Sequence, residues 1–289
     1  MNYLLHIVIL ISIYGILASS LNLIVGFTGM LSLSHAAFFG IGAYASALLQ
    51  LEFGLGFLPS LLVAGGGAGL MSVLVGIPTI RLKGDYFVLG TLAFQMIVFS
   101  ALYNWTAVTG GPYGRPGIPI PSLFSFELNS LLRYGIFCIV AAMACYLVTV
   151  RLINSPFGRL LKAIREDELA SRALGKDVFT VRLTVFGIGA LLAGFGGGIF
   201  AGHFRFISPT SFDFAVSIFF LSVLIIGGAG SLVGPFLGAA FMVLVPEVLR
   251  MLELQPTVAA DLHQVIYGAL LVAIVRFRPR GLLGSYALR

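Results

Sequence analysis

Histidine and cysteine side chains can bind a metal or act in catalysis, but their spacing here supports neither role. The chain has four scattered histidines, at His6, His35, His203 and His263. None of them belongs to an H-E-x-x-H motif or to another spacing that is typical of a metal site. Cys138 and Cys145 lie on one predicted helix, about 10 Å apart along its axis, which is too far for a disulfide. We therefore predict no metal site and no catalytic residues.

The sequence also lacks a nucleotide-binding loop of its own. The P-loop pattern G-x-x-x-x-G-K-[ST] does not occur, and its nearest fragment, Gly175-Lys176-Asp177, lacks the hydroxyl residue and the first glycine. Pairs of carboxylates and lysines, which form the usual ion relay of a secondary transporter, are missing from the centres of the predicted spans. We predict that the chain binds no cofactor and that any energy for transport comes from a partner.

A small set of polar residues interrupts the apolar runs and could line a path for a solute. These translocation-path candidates are Asn22, Thr28, Ser32, Ser34, His35 and Gln95. A polar group at membrane depth is unfavourable unless it is paired across helices or faces a cavity. Both alternatives stay open for Gln95, and His35 can equally be a hydrogen-bonded residue at a helix end.

Glycines mark two places where helices are expected to break or to pack closely. The residues are Gly26, Gly29, Gly227, Gly228 and Gly230. They belong to two copies of the pattern G-x-x-G-x-L, and many transporters contain repeats with helices interrupted at matching places. In a chain with 36 glycines, chance can also supply such a match.

Composition sets the fold class. Hydrophobic residues make up 59% of the chain and charged residues only 10%, and the mean hydropathy is +1.05. These values exclude a soluble domain and predict an all-α polytopic membrane protein in a lipid bilayer. At about 20 residues for each span, the chain has room for roughly eight to ten transmembrane helices, and we predict about eight in a single domain, 1–289. The apolar run 36–49 is short for a span, so we expect a broken or re-entrant segment near 22–40.

The one long polar interval, 151–182, contains seven basic and four acidic residues. The positive-inside rule places this loop, and the arginine-rich C-terminus, in the cytoplasm, and membrane orientation explains the net charge of +6 without a nucleic-acid partner. Ser155 followed by Pro156 is a helix-start signal, and Gly175 is suited to end the helix with a positive φ. The sequence therefore predicts a cytoplasmic helix near 156–174.

This cytoplasmic helix has an apolar stripe. Phe157, Leu160, Leu161 and Ile164 follow the i, i+3, i+4, i+7 spacing of one helix face. The stripe can pack on the protein's own spans or the lipid interface, or it can dock a cytoplasmic partner.

Eight blocks of residues are spread along nearly the whole chain: Asn22–Tyr44, Gly84–Phe87, Thr109–Pro112, Ser155–Arg159, Ala163–Glu168, Ile207–Pro209, Gly227–Ser231 and Arg278–Leu282. In sequence and in order, these blocks resemble the LivM-type permeases of the branched-chain amino acid ABC transporters.

This resemblance implies a multi-pass transport subunit of a bacterial inner membrane, not an enzyme. The subunit would pair with a homologous second permease, two cytoplasmic ATPases that bind the ATP, and an extracytoplasmic solute-binding protein. It also implies that the loop 151–182 contacts the ATPase. The implied coupling residues are Phe157, Gly158, Arg159, Arg165, Glu166, Asp167, Glu168 and Gly175.

One span departs from the family's pattern. Members often carry a glutamate and an arginine after the Asp-Tyr-Phe block, where this chain has Met96 and Phe99 beside Gln95. The resemblance favours branched-chain amino acids as the transported solute. Urea, short amides and other small amino acids or acids are alternatives, as is an ATP-independent channel.

Overall fold

A computed structural model describes residues 2–82, 84–123, 126–250 and 281–284. The predicted last span, 262–275, and the arginines Arg276, Arg278 and Arg280 lie outside these residues. The helices are α1 (Asn2–Thr28), α2 (His35–Leu51), α3 (Phe57–Thr79), α4 (Asp85–Asn104), α5 (Thr106–Thr109), α6 (Leu131–Asn154), α7 (Pro156–Glu166), α8 (Glu168–Ala173), α9 (Val178–Phe204), α10 (Phe214–Gly227) and α11 (Gly234–Arg250). Two-residue strands are β1 (Arg115–Pro116), β2 (Ser122–Leu123), β3 (Phe126–Glu127) and β4 (Phe206–Ile207), and 3₁₀ turns lie at Gly111–Tyr113 and Pro209–Phe212.

Eight of the described helices are apolar. Five of them, α1, α3, α4, α6 and α9, are long and apolar enough to cross a membrane, while α2, α10 and the first part of α11 are shorter. The prediction of an all-α polytopic membrane protein is confirmed, with five clear spans and three shorter apolar helices among the described residues.

Small residues let the central helices approach very closely. α9 packs on α1, α2 and α3. A Cβ atom at Gly42 would lie 2.1 Å from the Gly194 carbonyl oxygen, and one at Gly197 would lie 2.1 Å from the Phe39 carbonyl oxygen. No side chain fits at these positions, so glycine is what allows the backbones of α2 and α9 to touch.

The expected interruption near 22–40 lies at residues 29–34, between α1 and α2, and we call it the first break. α1 continues past the end of the apolar run and includes Gly26 before it ends at Thr28. Gly29 then has φ +73°, a conformation that side chains other than glycine's rarely adopt.

A second break, residues 228–233, separates α10 from α11. Gly228 and Gly230 have φ values of +107° and +77°. A Cβ atom at Gly227 would lie 2.0 Å from the Gly234 carbonyl oxygen, so the two helices are in backbone contact. The amides of Leu282 and Leu283 donate to carbonyls at the end of α10, over 2.9 and 3.1 Å.

The structure divides the predicted coupling helix near 156–174 into α7 and α8. The Ser155 hydroxyl accepts a hydrogen bond from the Gly158 amide and caps α7. Asp167 has an extended backbone, and its carboxylate accepts from the Ala170 amide over 2.9 Å, so it ends α7 and caps α8. Gly175 follows α8 with φ +74°.

The long loop between α4 and α6 is fixed at the far end of α9. Its strand β1 pairs antiparallel with β4, which follows α9 directly. Arg115 also forms an ion pair with Glu52 at 3.0 Å. This end of the molecule is opposite α7 and α8, which lie at the start of α9.

Candidate translocation path and coupling surface

Asn22 joins the two glycine motifs. Its amide nitrogen donates to the Ser231 carbonyl over 2.7 Å, and its Oδ1 accepts from the Gly230 amide over 2.9 Å. A Cβ atom at Gly26 would lie 2.6 Å from the Gly230 nitrogen. The two copies of G-x-x-G-x-L therefore meet in space, with the second break held against α1.

Hydroxyl groups hold the first break. The Thr28 hydroxyl donates to the Ile24 carbonyl and accepts from the Met30 amide. The Ser32 and Ser34 hydroxyls form a hydrogen bond of 2.9 Å. These contacts satisfy polar groups that would otherwise be buried without partners.

Gln95 of α4 caps the buried start of α2. Its Oε1 accepts from the Ala37 amide over 2.6 Å, and its Nε2 donates to the Phe212 carbonyl over 2.9 Å. The neighbouring Ala36 amide donates to the Ser217 hydroxyl of α10. The Gln95 amide is therefore paired with backbone groups of other elements and does not face a cavity.

His35, the first residue of α2, is fully packed. Its Nε2 lies 2.9 Å from both the Leu17 carbonyl oxygen and the Ser20 hydroxyl. The carbonyl only accepts, so we assign the ring hydrogen to Nε2. Nδ1 is then an acceptor with no hydrogen-bond partner in the described part of the chain.

All six path candidates are buried. Each is exposed by 3% or less. In this conformation, other groups of the protein form hydrogen bonds with all six side chains, although Nδ1 of His35 has no partner in the described part of the chain. A solute reaches them only when the helices around the first break separate, so these residues remain candidates for the path.

The inner face of α7 rests on the end of α1. Leu161 and Ile164 are buried, and α7 packs on α1, α6 and α9. Lys162 Nζ lies 6.0 Å from the centre of the Phe27 ring. A Cβ atom at Gly29 would lie 3.4 Å from Arg165 Cγ, so this arginine touches the first break. The apolar stripe therefore packs on the protein's own spans.

The outer face of α7 and α8 is open. Leu169 and Leu174 are 78% and 77% exposed. Among the residues implied to contact an ATPase, Arg159, Glu166, Asp167 and Gly175 are exposed, Phe157, Arg165 and Glu168 are partly buried, and Gly158 is buried. Gly158 has a packing role, because a Cβ atom there would lie 2.1 Å from the Ile153 carbonyl oxygen.

Asp177 caps the start of α9 beside this surface. Its carboxylate accepts from the backbone amide and the hydroxyl of Thr180. These hydrogen bonds hold the pKa of Asp177 below its usual value. The carboxylate is therefore ionised at neutral pH, which suits the N-terminus of a helix.

Sequence reasoning missed several residues of this region. Thr91 accepts from the Leu33 amide over 3.1 Å, and Ser217 contacts both Ala36 and Gln95. Thr91 lies one helical turn before Gln95, and this spacing on one face was the available signal.

Comparison with known proteins gives the family. A protein-family model, described as the permease component of the branched-chain amino acid transport system, matches residues 3–275. The high-affinity branched-chain amino acid transport system permease protein LivM of Escherichia coli K12 is 38% identical over 94% of this chain and 68% of its own length. A probable LivM permease of Methanocaldococcus jannaschii is 26% identical over 94% of this chain and 90% of its own. The permease protein LivH of Escherichia coli K12 is 25% identical over 94% and 92%.

No solved structure matches the chain. The family model nevertheless covers nearly the whole sequence, and the LivM relative is well above 30% identical. The chain therefore belongs to the family of branched-chain amino acid transport system permeases.

Proposed function

We propose that this chain is the membrane-spanning permease subunit of an ATP-driven, binding-protein-dependent importer of branched-chain amino acids. The names of its relatives support the solute class and favour it over urea, amides or a free-standing channel. The chain resembles both LivM and LivH of one organism, which supports a paired second permease. Two ATPases and a solute-binding protein complete the proposed assembly.

The observation that carries this proposal is the placement of α7 and α8. One side of the segment rests on the end of α1 through Lys162 and on the first break through Arg165. The other side exposes Leu169 and Leu174 beside charged residues. Exposed leucines beside charged residues offer a partner both apolar contacts and ion pairs. We place this surface in the cytoplasm, where the ATPases bind ATP.

The contact between Arg165 and Gly29 suggests how movement reaches the path. When the ATPases close, they displace α7, and α7 displaces the end of α1 at the first break. As the break changes shape, the hydroxyls of Ser32 and Ser34 can give up their mutual hydrogen bond and bind other partners. The buried path candidates then open alternately to the two sides of the membrane.

The path candidates suit an amino acid. They are uncharged hydrogen-bonding groups, in which donors and acceptors can face the ammonium and carboxylate of a zwitterion. Apolar side chains beside them, such as Phe27 and Phe38, are buried and can face an aliphatic side chain.

Uptake of labelled leucine tests the function. The host lacks its own branched-chain amino acid importer and expresses the chain with its partner subunits. We expect leucine uptake to stop when ATP hydrolysis is blocked. Unlabelled isoleucine and valine should compete with leucine for uptake. Uptake that continues without hydrolysis would identify a channel. Stronger competition by urea or acetamide than by isoleucine would contradict the solute class.

A double variant, Arg165→Ala with Glu166→Ala, tests the coupling surface. We expect uptake to fall about tenfold or more while ATP hydrolysis and membrane insertion persist, because the displacement no longer reaches the first break. Lys176→Ala, which removes an exposed charge beyond Gly175, is the matched control. Wild-type uptake in the double variant would rule out this coupling route.

A further inference from the structure

A basic cavity lies where α8 meets the ends of two spans. It has a volume of about 310 Å³ and is lined by the turn after α3, by α8 and by the start of α9. Four charged side chains face it, from Arg81, Glu168, Arg172 and Arg182. The cavity is distinct from the buried path at the first break.

The charges in this cavity are unbalanced. Glu168 pairs with Arg172 at 2.5 Å and with Arg182 at 2.9 Å. No carboxylate within the described ranges pairs with Arg81, which lies over the Phe179 ring at 5.5 Å. The Nε of Arg182 is buried and has no hydrogen-bond partner in the same part of the chain. Three cations against one anion leave a net charge of +2, and a donor without an acceptor, at the cavity.

An apolar groove begins one residue beyond Arg182. It has a volume of about 510 Å³ and runs between α3 and α9 from Leu183 to Leu191, about 12 Å along the helix axis. Its floor is open because it is lined by glycines, including Gly66 and Gly187. A Cβ atom at Gly66 would meet nothing within 4 Å. Leu70, which also lines the groove, is 71% exposed.

We propose that the cavity and the groove together bind one anionic phospholipid. The phosphate accepts hydrogen bonds from Arg81 and Arg182, and an acyl chain lies along the groove between α3 and α9. Basic pockets between spans are suited to such head groups. A soluble partner can reach the arginines, but it cannot fill an apolar groove between two membrane spans. The groove therefore favours a lipid over an ATPase side chain as the occupant.

The bound lipid would link α3 to α8. Glu168 already ties α8 to α9 through Arg182, and a phosphate between Arg81 and Arg182 would extend this contact to α3. The lipid then fixes the position of the coupling surface without touching the transported solute. The lipid would act in the same way whichever solute is transported.

Native mass spectrometry of the purified complex tests the head-group contact. Dioleoylphosphatidylglycerol is titrated against dioleoylphosphatidylcholine, and the fraction of complexes that retains one lipid is measured. We expect preferential retention of the anionic lipid. Arg81→Gln should weaken that retention about fivefold, the effect of removing about one basic contact near a membrane surface. Arg151→Gln removes an exposed arginine at the end of α6, outside the cavity, and should leave retention unchanged.

A second pair of variants tests the acyl groove. Gly66→Leu fills the groove, whereas Gly67→Leu adds the same side chain next to it, where a Cβ atom also meets nothing within 4 Å. We expect Gly66→Leu to reduce retention of phosphatidylglycerol by several fold and Gly67→Leu to leave it near the wild-type value.

Three outcomes would overturn the proposal. Equal retention of the two lipids would show that the arginines select no head group. Displacement of the lipid by soluble glycerol phosphate at equal concentration would show that the groove contributes nothing. Loss of the ATPase subunits in Arg81→Gln, with lipid retention unchanged, would assign the cavity to ATPase docking.

Discussion

The two helix breaks share the pattern G-x-x-G-x-L, but different groups hold them. Side chains hold the first break: Thr91 accepts from Leu33, and Gln95 accepts from Ala37 at the start of α2. In the second break, backbone lies directly against backbone, and the Asn22 side chain adds hydrogen bonds to Gly230 and Ser231. There a Cβ atom at Gly227 would lie 2.0 Å from the Gly234 carbonyl oxygen.

This difference suggests different mechanical roles. Hydroxyl and amide side chains can rotate and exchange partners, so the first break can change shape while its polar groups stay paired. The backbone contacts at Gly227 leave no such freedom, and the Asn22 amide ties this break to α1 at two points, so the second break behaves as a fixed support. The cytoplasmic helix α7, for which we propose a coupling role, contacts the first break through Arg165.

The largest expected effect is at the second break. Gly227→Leu would place a side chain inside backbone atoms of α11, and we expect a loss of about 3 kcal/mol or more of folding free energy. Little monodisperse protein should survive detergent extraction and size-exclusion chromatography. Gly29→Leu is the comparison at the first break, where the nearest atom is Arg165 Cγ at 3.4 Å. That variant should fold, with a cost of about 1–2 kcal/mol from its positive φ, but show reduced uptake. Equal yields of the two variants would remove the distinction between the breaks.

An intermediate effect is expected for the amide that caps α2. Gln95→Leu removes the donor to Phe212 and the shorter of two hydrogen bonds from the Ala37 amide, which also donates to the Ser34 carbonyl. We expect a loss of about 2 kcal/mol, measured as a lower thermal midpoint in detergent. Hydrogen exchange at residues 29–37 should accelerate. Gln50→Leu is the matched control, because Gln50 is also buried but bonds only to Ser46 of its own helix. If both variants had the same midpoint, the contacts of Gln95 with other elements would contribute no stability.

The smallest effect is expected within the first break itself. Ser32→Ala removes the 2.9 Å hydrogen bond to Ser34, and we expect a loss of about 1 kcal/mol or less because Ser34 can turn to another partner. The thermal midpoint should stay close to wild type. A loss as large as that of Gln95→Leu would mean that the break is as rigid as its counterpart.

Much of the fold can be predicted from sequence, because a long apolar run forms a helix in a bilayer whichever elements surround it. A run such as 58–80 must form a helix in a bilayer to satisfy its own backbone, and α3 forms there. The helix start at Ser155 and Pro156 depends only on neighbouring residues, and it too was predictable.

The parts that could not be predicted depend on distant partners or on competing local signals. Gln95 was recognisable as a buried amide that needs partners, but those partners, Ala37 and Phe212, are 58 and 117 residues away. Asp167 appeared to be one of several charges on a continuous helix. In the structure its carboxylate caps a new helix. An aspartate can be an exposed charge on a helix surface, but it can also accept hydrogen bonds from the free amides at a helix start.

The cap on α2 also has a consequence for biosynthesis. The Ala36 amide is satisfied by Ser217, which lies 181 residues later in the chain. At common translation rates, that separation corresponds to roughly ten to forty seconds. During this interval the start of α2 has been synthesised but Ser217 has not, so water or the insertion machinery must provide the partner for the Ala36 amide. The start of α2 therefore reaches its final form only after α10 has entered the bilayer, although this segment is translated early.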